Sequence, residues 1–146
     1  MTVKKKQLWA ALIALNLAFI WGNSMVTGTD SGNLSGGVLA WLNGFLGLDE
    51  SSAEVLHLLI RKGAHFAEFA CLGLLLTRYC QLGGEKHGVA FPVLLAMAAA
   101  VVDESIQMFT PDRGPSLVDV WIDGSGALTG TMLLFLGQIL TTKKHK

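Results

Sequence analysis

Most of the side chains in this sequence that could do chemistry lie in one stretch, DESIQMFTPDRGPSLVDVWIDGSG, from Asp103 to Gly126. This stretch contains five carboxylates and one arginine, and it lies between two long apolar runs. A second group, in RKGAHFAE, places Lys62, His65 and Glu68 at intervals of about one helical turn. A histidine beside carboxylates suits general acid–base catalysis, and an arginine fork suits phosphate oxygens.

The residue types predict two kinds of role. The candidate catalytic residues are His65, Glu68, Asp103 and Asp119, with His65 as the base and a carboxylate orienting it. The candidate ligand-binding residues are Lys62, Glu104, Gln107, Arg113 and Asp123. Among them, Lys62 and Arg113 would hold a phosphate group. Crowded carboxylates raise one another's pKa, which can supply the acid of an acid–base pair.

Two other interpretations of the same residues remain open. Several carboxylates together suit oxygen ligation of a divalent cation, Mg²⁺ or Ca²⁺. Alternatively, the charges form a structural network that fixes the register of the helices, with Glu104 pairing with Arg113 or Lys62. No nucleophile elbow, zincin motif, P-loop or CxxC motif is present. Cys71 and Cys80 lie nine residues apart and face different ways on a helix, so we expect neither a disulfide nor a metal site there.

The composition indicates a membrane protein. Of the 146 residues, 51% are hydrophobic and 15% are charged, and the mean hydropathy is +0.49. Soluble domains carry about 25% charged residues. The length allows one domain, residues 1–146. The net charge is zero, so charge gives no reason to expect a nucleic-acid partner.

Four apolar segments approach the length of about 20 residues that a spanning helix needs. Their approximate ranges are 8–26, 63–82, 88–109 and 117–140. They predict an all-α membrane protein in which four transmembrane helices form a compact bundle.

The segment between the first two predicted spans contains a shorter helical pattern. Its apolar residues share one face at helical spacing: Leu34, Val38, Trp41, Leu42 and Phe45. The segment is too short and too rich in glycine to span, so we expect a short interfacial helix in the outer loop. An ordinary loop covering the helix ends is the alternative.

Lysine and arginine are distributed unevenly between the two sides of the predicted bundle. The N-terminus, the loop between the second and third spans and the C-terminal tail hold eight of them, and the other side holds three. The positive-inside rule then predicts both termini in the cytoplasm of a multi-pass protein of the bacterial cytoplasmic membrane. The first segment also resembles a signal peptide with a weak cleavage site at Gly22 and Ser24. Cleavage would leave three spans and the same outer face.

This topology brings ionisable groups from three segments to one depth near the outer face, at about 1.5 Å per helical residue. We expect His65, Asp103 and Asp119 to share one site, with Glu68 and Asp123 a little deeper. A charge at the bilayer centre costs about 2.5–3.5 kcal/mol on insertion scales, so these groups should face one another around water or a ligand.

Small residues predict how the last helix packs. Asp119, Asp123, Gly126 and Gly130 share one face of the fourth span. A Gly-x-x-x-Gly pair allows close approach of a neighbouring helix. The face therefore directs both carboxylates into the bundle rather than toward lipid.

Two blocks of the sequence, RKGAHFAEFACLGLLL and DESIQMFTPDRGPSLVDVWIDGSGALTG, resemble the VanZ-like membrane proteins of bacteria. The positions that match are Lys62, His65, Phe66, Asp103, Glu104, Gln107, Phe109, Pro111, Arg113, Ser116, Asp119, Gly126 and Gly130. The sequence departs from the family pattern at Phe69, where tyrosine is usual, and at Asp112, where a small residue is common. With weaker matches elsewhere, the resemblance covers nearly the whole chain.

The resemblance implies a function in the cell envelope. The family is named for a teicoplanin-resistance protein, so a role in glycopeptide antibiotic resistance is expected. The outward-facing pocket would then bind or modify a membrane lipid or a lipid-linked envelope precursor. The resemblance implies no particular reaction or oligomeric state, and a non-enzymatic accessory or scaffold protein is the alternative.

Overall fold

The computed structural model describes residues 3–83 and 88–144, and it places them in five α-helices. The helices are α1 (Val3–Ser24), α2 (Gly28–Leu46), α3 (Glu50–Leu82), α4 (Ala90–Gln107) and α5 (Leu117–Lys144). No strand occurs in these two ranges. The all-α prediction is therefore confirmed for the described part of the chain.

Length and composition identify two helices that can each cross a membrane, α4 over its whole length and α5 over Leu117–Thr141. Helices α1 and α2 together meet the same criterion as one span with a bend of 105°. Helix α3 does not meet it, since His65, Glu68 and Arg78 lower the hydropathy of its apolar segment. The structure thus supports two or three spans, and four spans remains a prediction. Lys86 and Lys146, which contribute to the charge asymmetry, lie outside the described residues.

Helix α3 begins earlier than the sequence predicted. It starts at Glu50 rather than near residue 63, and its 33 residues make it about 50 Å long. Asp49 caps its N-terminus by accepting a hydrogen bond from the backbone N–H of Ser52 at 3.3 Å. The prediction followed the apolar run, which begins only at residue 63, whereas this cap sets the start of the helix.

Helix α2 is longer than the short interfacial helix that the sequence predicted. It has 19 residues, is capped by Thr27, and ends at Gly47, which has a left-handed φ of 60°. Ser35 Oγ lies 2.6 Å from His57 Nε2 and fastens α2 to α3. None of the residues of α2 is buried. The large apolar residues of its predicted face are exposed: Leu34, Val38, Trp41 and Phe45.

Helices α3 and α5 pack closely enough for backbones to touch. A Cβ atom on Gly126 would collide with the carbonyl oxygen of Phe66, and one on Gly130 would collide with that of Ala70. Gly73 on α3 meets the backbone of α5 in the same way. The close contact expected from Gly126 and Gly130 is therefore confirmed, and it holds α3 and α5 in a fixed register.

Helices α1 and α4 complete the core around this pair. The fully buried apolar residues are Ile20, Phe69, Leu72, Ala96, Ala100 and Ala127. On α4 the buried face continues from the two alanines to Asp103, Glu104 and Gln107. The same helical face thus passes from an apolar core to a polar end.

The turn between α4 and α5 is pinned to the start of α2. The backbone N–H of Gly28 donates to the carbonyl oxygen of Pro111 at 3.0 Å, and Thr29 Oγ1 donates to Asp112 Oδ2 at 2.8 Å. A Cβ atom on Gly28 would collide with the Asp112 backbone. Asp112 itself has a positive φ of 57°, which aspartate tolerates better than most residues. These contacts position the following residue, Arg113.

Candidate functional site

Three helices bring one ionisable side chain each to the same place, at the end of the bundle where α4 ends and α5 begins. His65 Nδ1 on α3 lies 4.0 Å from Asp103 Oδ2 on α4 and 3.8 Å from Asp123 Oδ1 on α5. Both aspartates have no exposed surface, whereas the His65 side chain is 22% exposed. We call these three residues the acidic cluster.

Hydrogen bonds hold Asp103 in a fixed orientation. Ser24 Oγ on α1 donates to its Oδ1 at 2.6 Å, and Gln107 Nε2 donates to its Oδ2 at 3.0 Å. Gln107 also reaches Glu104 Oε1 at 3.3 Å. Because all four side chains are buried, the interactions stabilise one rotamer of Asp103.

Asp123 is held differently. Neither of its carboxylate oxygens has a hydrogen-bond partner, and the facing His65 Nδ1 has none either. A buried carboxylate without a partner is costly, so such a group takes up a proton or binds a cation. The unpaired atoms of Asp123 and His65 point to the place where a ligand or ion would be held.

The donor atoms of the acidic cluster fit a metal ion. One atom each from His65, Asp103 and Asp123 lies within 4.8 Å of the other two. To form metal–ligand bonds of about 2.0–2.2 Å with one ion, these three donor atoms would have to move slightly closer together. One imidazole nitrogen with two carboxylates fits Zn²⁺ better than Mg²⁺ or Ca²⁺, which prefer oxygen alone. Mg²⁺ or Ca²⁺ was expected from the carboxylates of the sequence alone, without His65 as a ligand.

Lys62 and Asp119 form a separate ion pair beside the acidic cluster. Lys62 Nζ bonds to Asp119 Oδ1, and both side chains are partly exposed. The sequence predicted one shared site for His65, Asp103 and Asp119. The structure brings His65 and Asp103 together, and the carboxylate that joins them is that of Asp123. Asp119 lies one helical turn away along α5.

The two glutamates of the predicted site have partners of their own. Glu68 Oε1 accepts a hydrogen bond from Asn23 Nδ2 at 3.0 Å. Glu104 Oε2 accepts one from the backbone N–H of Ser116 at 2.6 Å. The first bond links α3 to α1, and the second links α4 to the turn before α5. Both glutamates therefore fasten elements around the acidic cluster.

Arg113 extends from the turn toward the same region without forming an ion pair. Among the described residues, no carboxylate oxygen lies within 4.0 Å of its guanidinium, and its buried Nε has no hydrogen-bond partner. Burial lowers the pKa of Arg113, and the charge of Arg61 lowers it further, whereas nearby acids such as Asp103 raise it. Arg113 therefore has an unpaired donor available for an anion.

A cavity of about 270 Å³ lies between α1, α2 and α3 and extends to His65. Its polar lining includes Arg61, His65, Glu68 and Arg113. Its apolar lining consists of Val26, Leu34, Val38, Ile60 and Ala64. The cavity is thus amphiphilic, and His65 contributes to both the cavity and the acidic cluster.

Sequence reasoning missed three side chains of this region. Ser24 was considered only as part of a weak cleavage site, Arg61 only as a topology signal, and Asn23 not at all. The available signal for Asn23 and Ser24 was the presence of polar residues at the end of an apolar segment. Such residues in a spanning helix usually face the bundle interior and find partners there, as Ser24 does with Asp103.

Comparison with known proteins gives a match at the level of the family. A family model described as VanZ/LLP1 matches residues 8–139, a range that includes every residue of the acidic cluster and the cavity. Neither the curated proteins nor the solved structures contain a match to this chain.

Proposed function

Because this chain belongs to the VanZ/LLP1 family, we propose that it is a cell-envelope membrane protein that binds or modifies a lipid-linked, phosphate-bearing headgroup. The observation that carries this proposal is the convergence of His65, Asp103 and Asp123 from three helices, with buried oxygens of Asp123 left unpaired. Ionisable residues inside a membrane protein that face one another are functional candidates. The proposal extends to glycopeptide resistance, the property for which the VanZ-like proteins are named.

The proposed topology places the site on the outer face of the bacterial cytoplasmic membrane. Helices α1, α3, α4 and α5 span, both termini are cytoplasmic, and α2 lies in the outer interface. The asymmetry of lysine and arginine supports the orientation. The exposed apolar face of α2 supports its contact with lipid, since this face includes Leu34, Val38, Trp41 and Phe45.

The geometry suits acid–base chemistry on a bound headgroup. His65 acts as the base or acid, because its imidazole borders the cavity and its Nδ1 faces two carboxylates. Asp103, fixed by Ser24 and Gln107, places a negative charge 4.0 Å from the imidazole Nδ1. Arg113 supplies the donor for a phosphate oxygen.

A divalent cation bound by the acidic cluster is a second form of the same proposal. Zn²⁺ held by His65, Asp103 and Asp123 would neutralise the buried carboxylates. It would also polarise a phosphate oxygen that enters from the cavity. The orphaned oxygens of Asp123 favour this form.

A scaffold function is the second candidate, and a different observation favours it. Hydrogen bonds of Ser24 with Asp103 and of Glu104 with Ser116 tie three elements together. The Lys62–Asp119 ion pair links α3 to α5 in the same region. In this interpretation the polar residues set the register of the helices and do no chemistry.

The substitution Asp123→Asn separates the two candidates. Asp123 accepts no hydrogen bond, so an amide of the same shape removes its charge beside His65 without breaking a hydrogen bond. We expect normal expression and folding together with loss of the wild-type effect on teicoplanin susceptibility, measured as the inhibitory concentration for a susceptible host. A scaffold would tolerate the change, since it removes an unpaired buried charge.

Asp112→Asn is the matched control. It makes the same chemical change in the exposed turn, where asparagine also adopts the left-handed conformation and its amide oxygen can still accept the Thr29 hydrogen bond that helps to position Arg113. It should retain the wild-type effect. Wild-type susceptibility in cells that express Asp123→Asn at normal levels would contradict the proposed function and favour the scaffold.

A further inference from the structure

Two arginines line the amphiphilic cavity, and neither forms an ion pair. Arg61 lies on α3 and Arg113 in the turn before α5, and both contribute to the cavity lining. Among the residues that the structure describes, no carboxylate oxygen lies within 4.0 Å of either guanidinium. Lys62, which the sequence predicted as a phosphate ligand, is neutralised by Asp119. The unpaired cations of this region are therefore the two arginines.

Electrostatics between these arginines favours an anion. The charge of Arg61 is among the causes that lower the pKa of Arg113, so these two residues of the cavity lining repel each other. An anion held between them would relieve this repulsion. Guanidinium groups match phosphate oxygens through paired N–H donors, and the buried Nε of Arg113 is an unused donor.

The remainder of the cavity indicates that the anion carries a hydrocarbon chain. The cavity lining also includes the apolar residues Leu34 and Val38 of α2, which are 74% and 49% exposed. Helix α3, which contributes Arg61 to the lining, carries exposed apolar residues too, among them Val55 and Leu58. A volume of about 270 Å³ lies just below the ~300–1,000 Å³ typical of ligand pockets. It accommodates a headgroup and the start of one chain, with the remainder in the bilayer.

We propose that the cavity binds an anionic lipid, with its phosphate between Arg61 and Arg113 and the start of its chain against α2. The inference rests on the proposed function and deepens it by naming the substrate class. It also assigns to Arg61 the phosphate contact that was predicted for Lys62 from the residue types. His65, in the wall of the cavity, faces the bound headgroup on one side and the acidic cluster on the other.

A binding experiment on the full chain in detergent tests this proposal. The probe is radiolabelled dioleoyl phosphatidic acid, with inorganic phosphate and dioleoylglycerol as competitors. We expect saturable binding, no competition by dioleoylglycerol, and competition by inorganic phosphate only at a concentration at least about 100-fold higher, because phosphate alone lacks the apolar contacts. Equal competition by inorganic phosphate would overturn the assignment to a lipid.

Substitutions locate the site of binding. Arg61→Gln and Arg113→Gln should each weaken phosphatidic acid binding by about tenfold or more, since each removes a charge-assisted contact. Arg78→Gln is the matched control, because Arg78 lies on the same helix but bonds to Gln81 and does not line the cavity. Unchanged binding by Arg61→Gln, or an equal loss in Arg78→Gln, would refute the site, provided that circular dichroism shows native helix content.

The outcome also separates this inference from the function on which it rests. Loss of lipid binding in the arginine variants, combined with a wild-type teicoplanin effect in Asp123→Asn, would retain the lipid site and refute a role of the acidic cluster in glycopeptide resistance. Loss of the teicoplanin effect in Asp123→Asn, combined with unchanged lipid binding in the arginine variants, would retain that role and refute the lipid site.

Discussion

Asp123 is the most unusual residue of this protein, because its carboxylate is fully buried and has no hydrogen-bond partner. The neighbouring Asp103 is equally buried but accepts bonds from Ser24 and Gln107. The two aspartates of one cluster therefore differ in their bonding. Asp103 is held by two neighbours, whereas the carboxylate oxygens of Asp123 are unpaired.

Metal content provides a test at the level of single residues. The protein purified without chelators and dialysed against trace Zn²⁺ should retain about one zinc per chain, because one nitrogen and two carboxylate donors converge. His65→Gln and Asp123→Asn should each lower the affinity for zinc by at least about 10–100-fold, the loss caused by changing even an outer-shell partner of a metal ligand, and so lower the retained zinc. Elemental mass spectrometry measures the content.

Asp119→Asn is the control for the zinc experiment. Its carboxylate pairs with Lys62 and contributes no atom to the acidic cluster, so zinc content should stay at the wild-type level. Equal zinc in wild type and Asp123→Asn, or none in either, would refute a metal site formed by these three residues.

Part of the site could be predicted from the sequence, using only the distance of each residue from the outer end of its predicted span. His65 and Asp103 could be paired because their distances from the helix ends place them at one level. The choice between Asp119 and Asp123 could not be made, since residues four apart share a helical face. Which of them faces His65 depends on how α5 packs against α3. Backbone contacts at Gly126 and Gly130 determine this packing, and the depth of a residue along its helix does not predict them.

At the scale of the elements, the α3–α5 contact is the strongest constraint on the site. Gly130→Ala should destabilise the protein by about 1–3 kcal/mol, because the new Cβ collides with the carbonyl oxygen of Ala70 and forces the two helices apart. The midpoint of thermal unfolding in detergent, measured by loss of helical circular dichroism, should fall accordingly.

Gly137→Ala is the control on the same helix. A Cβ atom at Gly137 meets nothing within 4 Å, so alanine should be neutral or slightly stabilising there. An equal effect of the two substitutions would show that glycine acts through helix propensity and not through close packing.

The helix boundaries illustrate which local signals hydropathy overlooks. The apolar run predicted α3 from residue 63, but Asp49 begins the helix at Glu50 through a capping bond. Likewise, Thr27 begins α2 well before the apolar face that was predicted. Hydropathy identifies the membrane-buried part of a helix, whereas polar caps outside the membrane decide where the helix starts.

At the scale of the whole molecule, orientation in the membrane decides which compartment the cavity serves. A reporter that is active only outside the cytoplasm should be active when fused after Arg113 and silent when fused after Lys146. The excess of lysine and arginine on the side of both termini is the physical reason. The opposite pattern would place the cavity in the cytoplasm and exclude an outward-facing substrate site.

Helix α2 has a consequence for how this protein can evolve. It supplies four residues of the cavity wall, yet none of its residues is buried in the bundle. Substitutions at exposed positions usually change stability by less than about 0.5 kcal/mol. Substitutions of its exposed lining residues, Leu34 and Val38, can therefore alter the shape of the cavity while α3, α4 and α5 keep the acidic cluster intact. Natural selection can change what the cavity of such a protein accepts without first having to repair its fold.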